Sequence, residues 1–257
     1  MEQVSVRDAS APARTAAAGE GISREELALA ARNHGLPLEA LRYEVTPPGL
    51  HYVLVHYDIP AADPDDWRLA VRGLVRAPLS LDLAALRALP SVTHRVTMEC
   101  AGNGRALLSP RPVSQPWLTG AVGTADWTGV PLHLVLAEAG VRPEAVEAVF
   151  TGADHGVERG VEQDYRRSLP VGATGEGSGV LLAHTMNGLP LPPQHGSPCG
   201  WSSPAGTGWR TSSGCARSPW STRRSPASSS PWPTATGGPT RPRTPPVSRS
   251  PGSSRAR

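Results

Sequence analysis

The last 63 residues of this 257-residue chain cannot build a core of their own. From His195 to Arg257 there is no Asp, Glu, Ile, Leu or Met, but there are 15 Ser, 11 Pro and 9 Arg. Pro and Ser recur too often for a helix or a central strand, and almost no aliphatic side chain is available for burial. We therefore expect residues from about 197 to 257 to have no stable fold. We also expect them to leave the edge of the preceding region, 181–193, unpaired.

The same break divides the charge of the chain. The first 194 residues carry 16 Arg against 22 Asp and Glu, whereas the last 63 carry nine Arg and no acidic residue. A basic, Ser- and Pro-rich tail is typical of a disordered segment that binds nucleic acid or another polyanion. Four of the seven Trp lie in this tail, however, which is unusual for a disordered linker.

Residues 1–22 are small and polar, and they are predicted to be disordered. No apolar segment follows their charges, so no export signal is indicated and we expect a cytoplasmic protein. No run of about 18 apolar residues occurs, which argues against a membrane-spanning helix. Three Cys cannot make a disulfide framework.

Residues 23–196 show the pattern of an α+β domain. Ser23 and Glu26 have the spacing of a capping box, and Gly35 is predicted to end that helix. Proline stops a second predicted helix over 81–90, and a turn followed by a helix is predicted over 127–141. Alternating and β-branched residues predict strands over 51–60, 67–75, 91–99, 145–154 and 179–193. Since strands and helices are mixed without a βαβ repeat, the α+β class is favoured.

A cysteine loop follows the predicted strand 91–99 and reads Cys100-Ala101-Gly102-Asn103-Gly104-Arg105. Its two glycines would allow the backbone to approach a bulky ligand closely. A thiolate is a soft ligand that suits a soft or high-valent metal. Arg105 would lower the pKa of the thiol or hold an anion in a bidentate grip. On spacing alone, a buried and inert Cys in a turn fits equally well.

The segment MECAGNGR (98–105) resembles the cysteine loop of the sulfite oxidase family of molybdopterin-binding oxidoreductases. Further matching blocks follow in the family's order at 117–132, 150–158, 165–170 and 181–196. The resemblance covers roughly residues 40 to 196. It implies a mixed-sheet molybdopterin-binding domain, truncated at its C-terminal side. It also implies a molybdenum-molybdopterin cofactor that carries oxygen-atom transfer coupled to two-electron redox chemistry.

The resemblance implies the site residues as well. Cys100 matches the family's molybdenum ligand, and it is expected to be the only protein ligand of the metal. Arg105 matches an arginine that faces the oxyanion pocket. His56, Asp154 and His195 fall where the family contacts the pterin and its phosphate, although each also suits an ordinary polar residue at a surface or strand end. The implied substrate is a small anionic or polar oxo-acceptor or oxo-donor, and the electron acceptor is not indicated.

One departure from the family lies on the early predicted strand. The family often has Phe-Val-Arg-Asn-His there, whereas this chain has Tyr52-Val53-Leu54-Val55-His56. The missing arginine helps to bind sulfite in the animal enzymes. Leu54 in its place puts sulfite in doubt, and it favours a bacterial-type branch whose substrate the sequence does not identify.

The resemblance also suggests that the tail is out of frame. After His-Gly the family continues with Phe-Pro, an arginine-bearing strand, PGWYGM and VKWL. Suppose that one base was lost just after the Gly196 codon. Residues 196–222 can then be encoded by GC-rich codons that, read in the shifted frame, encode the segment FPVRLVVPGWYGMAHVKWL. Under this hypothesis Cys199 and Cys215 are accidents of frame rather than metal ligands or disulfide partners. The lysine and arginine that help to hold the pterin would be missing, so this product would be inactive or poorly folded.

Two other functions are compatible with the sequence. Cys100 would be the nucleophile of a hydrolase if a histidine such as His94 or His155 activated it. Alternatively, the chain would be a non-catalytic polyanion-binding protein acting through its basic tail, although nucleic acid is the less favoured partner. No Cys-x-x-Cys-His motif occurs, so c-type haem is not indicated. The oligomeric state is not indicated either.

Overall fold

The computed structural model of the chain describes residues 14–158 and 161–202, and its α+β class is confirmed. The predictions for residues 1–13 and 203–257 concern residues outside this range. The helices are α1 (Arg24–Ala30), α2 (Leu83–Ala88) and α3 (Leu132–Ala139). The strands are β1 (Arg68–Val71), β2 (Leu79–Asp82), β3 (Val92–Glu99), β4 (Val122–Pro131), β5 (Glu147–Glu158), β6 (Val161–Pro170), β7 (Leu181–Met186), β8 (Leu189–Pro190) and β9 (Gly200–Ser202). None of the helices in the described part has the length and apolar character needed to span a bilayer.

The strands form one larger sheet and two hairpin-like pairs. The larger sheet has the order β3-β4-β7-β8, and β9 also pairs with β7. The pairs are β1 with β2 and β5 with β6. All the strand pairings given for the described residues are antiparallel. Two of the predicted site residues lie on this arrangement: Cys100 directly follows β3, and Asp154 lies on β5.

Local sequence explains where α1 and α2 begin and where α3 ends, but α1 ends at Ala30 and not just before Gly35 as predicted. The predicted capping box is confirmed: the Ser23 hydroxyl accepts a hydrogen bond from the Glu26 amide, and the Glu26 carboxylate accepts one from the Ser23 amide. Asp82 caps α2 by accepting from the Ala85 amide at 2.7 Å. α3 ends at Gly140, whose φ of 66° is the left-handed conformation that favours glycine.

Two clusters of buried residues form the core. The larger one packs α2 and α3 against residues of β1, β5, β7 and the 199–201 segment. The second lies on one side of the larger sheet and comprises Tyr52, Val96, Met98, Trp117, Ala121, Ala125, Trp127, Leu181, Ala183, Met186 and Leu191. Leu54 and Cys100 pack against this second cluster while remaining partly exposed. The cysteine therefore sits where the core meets the surface.

Three elements differ from the sequence predictions. Residues 51–60 are not a strand, because the backbone of Val53 pairs with that of His34 just after α1 rather than with a sheet. The segment 122–131 is a long strand where a turn was predicted from residue 127, and its alternating burial reflects its place between β3 and β7. The strand β6 was not predicted, since its charged residues hide the alternation that its pairing with β5 imposes.

The first residues of the tail are ordered, contrary to the prediction. β9 pairs with β7 over Leu181–Ala183, so this edge is covered rather than open. Trp201 is fully buried and stacks on Phe150 with ring centroids 4.0 Å apart. Cys199 is fully buried beside them and forms no disulfide among the described residues. An indole and a thiol thus supply the apolar surface that the missing aliphatic residues would have supplied.

Residues 14–22 also differ from the predicted disorder. Thr15 forms an isolated antiparallel bridge with Pro112, and the Ala16 amide donates to the Arg111 carbonyl at 2.7 Å. Arg111 forms an ion pair with the fully buried Glu26 carboxylate of α1. This N-terminal segment therefore packs on the chain that follows the cysteine loop.

Candidate active site

Backbone hydrogen bonds fix the cysteine loop at the end of β3. The Cys100 amide donates to the Ala121 carbonyl at 2.9 Å, which ties the loop to the start of β4. The Cys100 carbonyl accepts from the Asn103 amide at 2.8 Å, and Gly104 then takes a φ of 77°. The Gly102 amide points to the Cys100 sulfur at 3.4 Å. The thiol is thus held in one orientation at the rim of the second core cluster.

Arg105 lies directly over Gly102, where the absence of a Cβ atom leaves room for the guanidinium in this position. A Cβ atom at residue 102 would lie 2.6 Å from the guanidinium carbon of Arg105. The guanidinium also donates to the Ser114 hydroxyl at 2.8 Å. The loop therefore places a cation beside the thiol.

The thiol of Cys100 is protonated in the protein without metal. Burial raises its pKa above the ordinary value, and the Gly102 amide and the Arg105 charge oppose this shift without overcoming it. Arg105 does lower the pKa of the thiol, as expected, but burial raises it by more, so the pKa as a whole is raised. A metal ion would displace this proton on binding.

His56 is held by residues that follow α1. The Asn33 side-chain oxygen accepts from the Val55 amide at 2.5 Å, and its amide nitrogen donates to Gln115 at 2.9 Å. Arg32 donates to the carbonyl oxygens of His56 and of the next residue, each at 2.9 Å. Burial lowers the pKa of His56 to about 3, and three arginines reinforce the shift. The imidazole is therefore neutral at pH 7.

Asp154 lies on β5, next to the same segment. Its side chain is 3% exposed, and it sits where the register between β5 and β6 shifts. Two residues further on, a Cβ atom at Gly156 would lie 2.8 Å from the Tyr57 side chain. The glycine therefore lets the β5–β6 pair approach the His56 segment closely. The structure thus brings β5, which carries Asp154, up to the segment that carries His56.

His195 lies in a different environment, at the end of a 3₁₀ turn before Gly196. It is 6% exposed, and its ring packs edge-on against His51 at 5.1 Å and against Trp127 at 6.4 Å. Burial lowers its pKa to about 3, so it too is neutral. Its Nε2 atom is buried and has no hydrogen-bond partner among the residues that the structure describes.

Several residues of the site escaped sequence reasoning. Arg32 and Asn33 follow α1, and nothing in the local sequence shows that they reach the 55–57 segment. Tyr165 stacks on His56 with ring centroids 5.0 Å apart, and Arg167 lies over the Tyr165 ring at 4.2 Å. Tyr165 and Arg167 are two residues apart, and residues two apart lie on the same face of a strand. Had β6 been predicted, this spacing would have indicated that the two side chains lie next to each other.

The two histidines proposed to activate a cysteine nucleophile, His94 and His155, are not placed to do so. His94 lies six residues before Cys100 on the extended strand β3, which corresponds to about 20 Å along the chain. Both ring nitrogens of His155 are bound by carboxylates, those of Asp164 and Glu162, at 2.9 Å each. Neither arrangement makes the thiol–imidazole pair that nucleophilic catalysis requires.

Comparison with known proteins identifies a family and several relatives. The family profile of the oxidoreductase molybdopterin binding domain matches residues 56–213. Chicken (Gallus gallus) sulfite oxidase is 39% identical over 163 residues, which are 60% of this chain and 34% of that protein. The NADH nitrate reductase of Ulva prolifera is 33% identical over 173 residues, 65% of this chain and 20% of that protein. The chain thus spans about a third or less of the length of these two relatives.

A solved structure shows the same architecture. The sulfane dehydrogenase SoxCD of Paracoccus pantotrophus superimposes with a TM-score of 0.62 at 25% identity, covering 82% of this chain and 51% of that one. The profile match extends over more than half of the chain and contains His56, the cysteine loop, Asp154 and His195. The chain belongs to the family of the oxidoreductase molybdopterin binding domain, and a molybdenum cofactor is the cofactor of that family.

Proposed function

We propose that this chain is built as an oxidoreductase of the sulfite oxidase type that acts on a small anionic or polar substrate. The observation that carries the proposal is the cysteine loop, in which a half-buried thiol lies beside the guanidinium of Arg105. When bound, the molybdenum cofactor supplies oxygen-atom transfer coupled to a two-electron redox step. The part of the protein is to hold the cofactor, orient the substrate and set the local charge.

The residues present fit such a cofactor. Cys100 offers one soft sulfur ligand at the surface of the core, which suits a metal that takes its other ligands from the cofactor. The Nε2 atom of His195, buried without a partner among the described residues, suits a polar atom of a bound group. Asp154 is a buried carboxylate beside the His56 segment, and it suits amino groups of a pterin. We propose that Cys100 binds the metal, that His56, Asp154 and His195 contact the pterin, and that Arg105 faces the substrate.

Metal and pterin analysis tests this proposal. The chain with its reading frame restored, produced in a host that makes the cofactor, is expected to contain molybdenum and a pterin in equal amounts. Elemental analysis gives the first quantity, and fluorescence of the oxidised pterin gives the second. A hydrolase that uses Cys100 as its nucleophile would contain neither, and it would turn over an ester or amide in their absence. A chain that binds polyanions through its tail would instead show salt-dependent binding of nucleic acid.

Sulfite is expected to be a poor substrate. Leu54 packs against the second core cluster, where an arginine would have offered a charge-assisted pair worth about 1.5–3 kcal/mol. Its loss corresponds to about one to two decades in binding. In a chain with its reading frame restored, we expect the Leu54→Arg variant to lower the KM for sulfite by about 10- to 100-fold, and the neutral Leu54→Gln variant to leave it unchanged. A micromolar KM for sulfite without any substitution would contradict this prediction.

We further propose that residues after Gly196 arise from a shifted reading frame. The support is the abrupt change of composition after residue 194 and the family segment that the other frame permits. The nucleotide sequence across codons 194–200 in independent isolates tests the proposal directly. The same frame in several close relatives would overturn it, whereas an additional base in them would support it. A frame-shifted chain would lack the later residues that hold the pterin, so it would be inactive.

A further inference from the structure

Two arginines from distant parts of the chain meet at the His56 segment. Arg32, just after α1, donates to the carbonyl oxygens of His56 and Tyr57, each at 2.9 Å. Arg167, on β6, lies 4.2 Å over the ring of Tyr165, and that ring stacks on the His56 imidazole at 5.0 Å. The Tyr165 ring therefore lies in contact with both the Arg167 guanidinium and the His56 imidazole. Arg105 contributes a third positive charge close enough to influence the His56 imidazole.

These charges differ from those of the four arginines that form ion pairs in the described part of the chain. Arg14, Arg95, Arg111 and Arg166 each form an ion pair with a carboxylate. Arg32 and Arg167 instead donate to main-chain carbonyl oxygens, the latter to that of Arg166 at 2.6 Å. A carbonyl oxygen satisfies a donor without neutralising its charge. Because the neighbouring His56 is neutral, the positive charge here is that of the guanidinium groups themselves.

A stacked guanidinium is well suited to bind an oxyanion. The aromatic ring fixes the plane of the guanidinium, so less conformational entropy is lost when two of its N–H groups grip two oxygen atoms. The bond from Arg167 to the Arg166 carbonyl occupies one N–H of the five that an arginine carries. Arg167 is also partly exposed, so a ligand can reach it.

We propose that Arg167, stacked on Tyr165, and Arg32 form an oxyanion-binding site at the His56 segment. This site supplies the positive charge that Leu54 does not supply, and Arg105 extends it towards the cysteine. The assignment of the site to this enzyme's chemistry rests on the proposed function. The ligand is a compact oxyanion, either the substrate or a phosphate group of the cofactor, because both present the same oxygen atoms to a guanidinium.

Calorimetric titration of the full chain without molybdenum tests the site with inorganic sulfate and inorganic phosphate at low ionic strength. Arg167→Gln is expected to weaken binding of both ions at least about ten-fold, the effect of removing a charge-assisted hydrogen bond. Arg167→Lys, which keeps the charge but loses the planar stack, is expected to give a smaller loss. The matched control is Arg166→Gln. Arg166 is the next residue on β6, it is exposed, and it pairs with Asp164, so we expect less than about a two-fold change.

Each outcome decides the proposal. Equal binding by the unaltered chain and by folded Arg167→Gln overturns it, as does an equal loss in Arg167→Gln and Arg166→Gln. If Arg167→Gln does not fold, as judged by circular dichroism, then Arg32→Gln serves in its place with the same expected loss. Retained sulfate binding in this variant likewise overturns the proposal.

Two further measurements, on the chain with its reading frame restored and loaded with cofactor, distinguish the sources of the oxyanion. A raised KM with unchanged molybdenum content in Arg167→Gln identifies the substrate, whereas a reduced pterin content identifies the phosphate of the cofactor. The test also separates this proposal from the proposed function. A chain with its reading frame restored that never acquires molybdenum but binds sulfate through Arg167 refutes the proposed function and retains the oxyanion site.

Discussion

Replacing Cys100 by serine is expected to remove molybdenum from the protein and to abolish molybdenum-dependent turnover. Serine replaces a soft sulfur ligand by a hard hydroxyl that stays protonated, so the metal loses its protein ligand. The loss should exceed the roughly 10- to 100-fold that removal of a supporting residue around a metal site costs. Elemental analysis of the purified chain measures the metal, and reduction of a dye by a chain with its reading frame restored measures turnover.

Cys199 provides the control for this experiment. It is a second cysteine outside any disulfide of the described residues, but it is fully buried in the larger core cluster. In the chain before its frame is restored, Cys199→Ala is expected to leave the molybdenum content unchanged. Cys100→Ser is expected to keep the fold of residues 40–196, as judged by circular dichroism. Dye reduction that survives in Cys100→Ser would refute the metal-binding role of this residue.

Trp201→Ala is expected to cause a large loss of stability. The indole is fully buried, stacks on Phe150 and lies on a strand that covers the edge of β7. Removing so large a side chain from a core costs about 3–5 kcal/mol, a large part of the 5–15 kcal/mol that stabilises a typical domain. Chemical denaturation followed by circular dichroism would show this as a lower midpoint.

Two further variants of β9, Ser202→Ala and Trp201→Phe, serve as controls for this experiment. Ser202 is fully buried, and its hydroxyl has no hydrogen-bond partner among the described residues, so Ser202→Ala is expected to be neutral or slightly stabilising. Trp201→Phe keeps an aromatic ring against Phe150 and should recover much of the stability. An unchanged denaturation midpoint in Trp201→Ala would show that β9 contributes nothing to the fold in solution.

The cysteine loop was predictable because its determinants are local. A strand pattern ending at Glu99, two glycines and an arginine five residues after Cys100 all lie within one short segment. The structure adds a physical reason, since Gly102 makes room for the Arg105 guanidinium. The capping box of α1 was predictable on the same grounds.

The surroundings of His56 were not predictable, because they depend on contacts between distant segments. The alternation over 51–60 is that of a strand, but the partner of Val53 is His34, and a single bridge does not make a sheet. β6 carries charged residues on its exposed face, so its pattern resembles a loop. The tail misled the prediction in the opposite direction, because a count of aliphatic residues ignores what one tryptophan can bury.

The grip of Arg32 on the carbonyl oxygens of His56 and Tyr57 has a consequence for biosynthesis. One side of this pocket is made early on the ribosome, while the opposite side, β6 with Arg167, emerges only after most of the domain has been translated. His195 and β9 emerge later still. If the cofactor contacts these residues as proposed, a nascent chain offers no complete site for it. Insertion would then follow translation, into a domain whose first and last described segments have already come together.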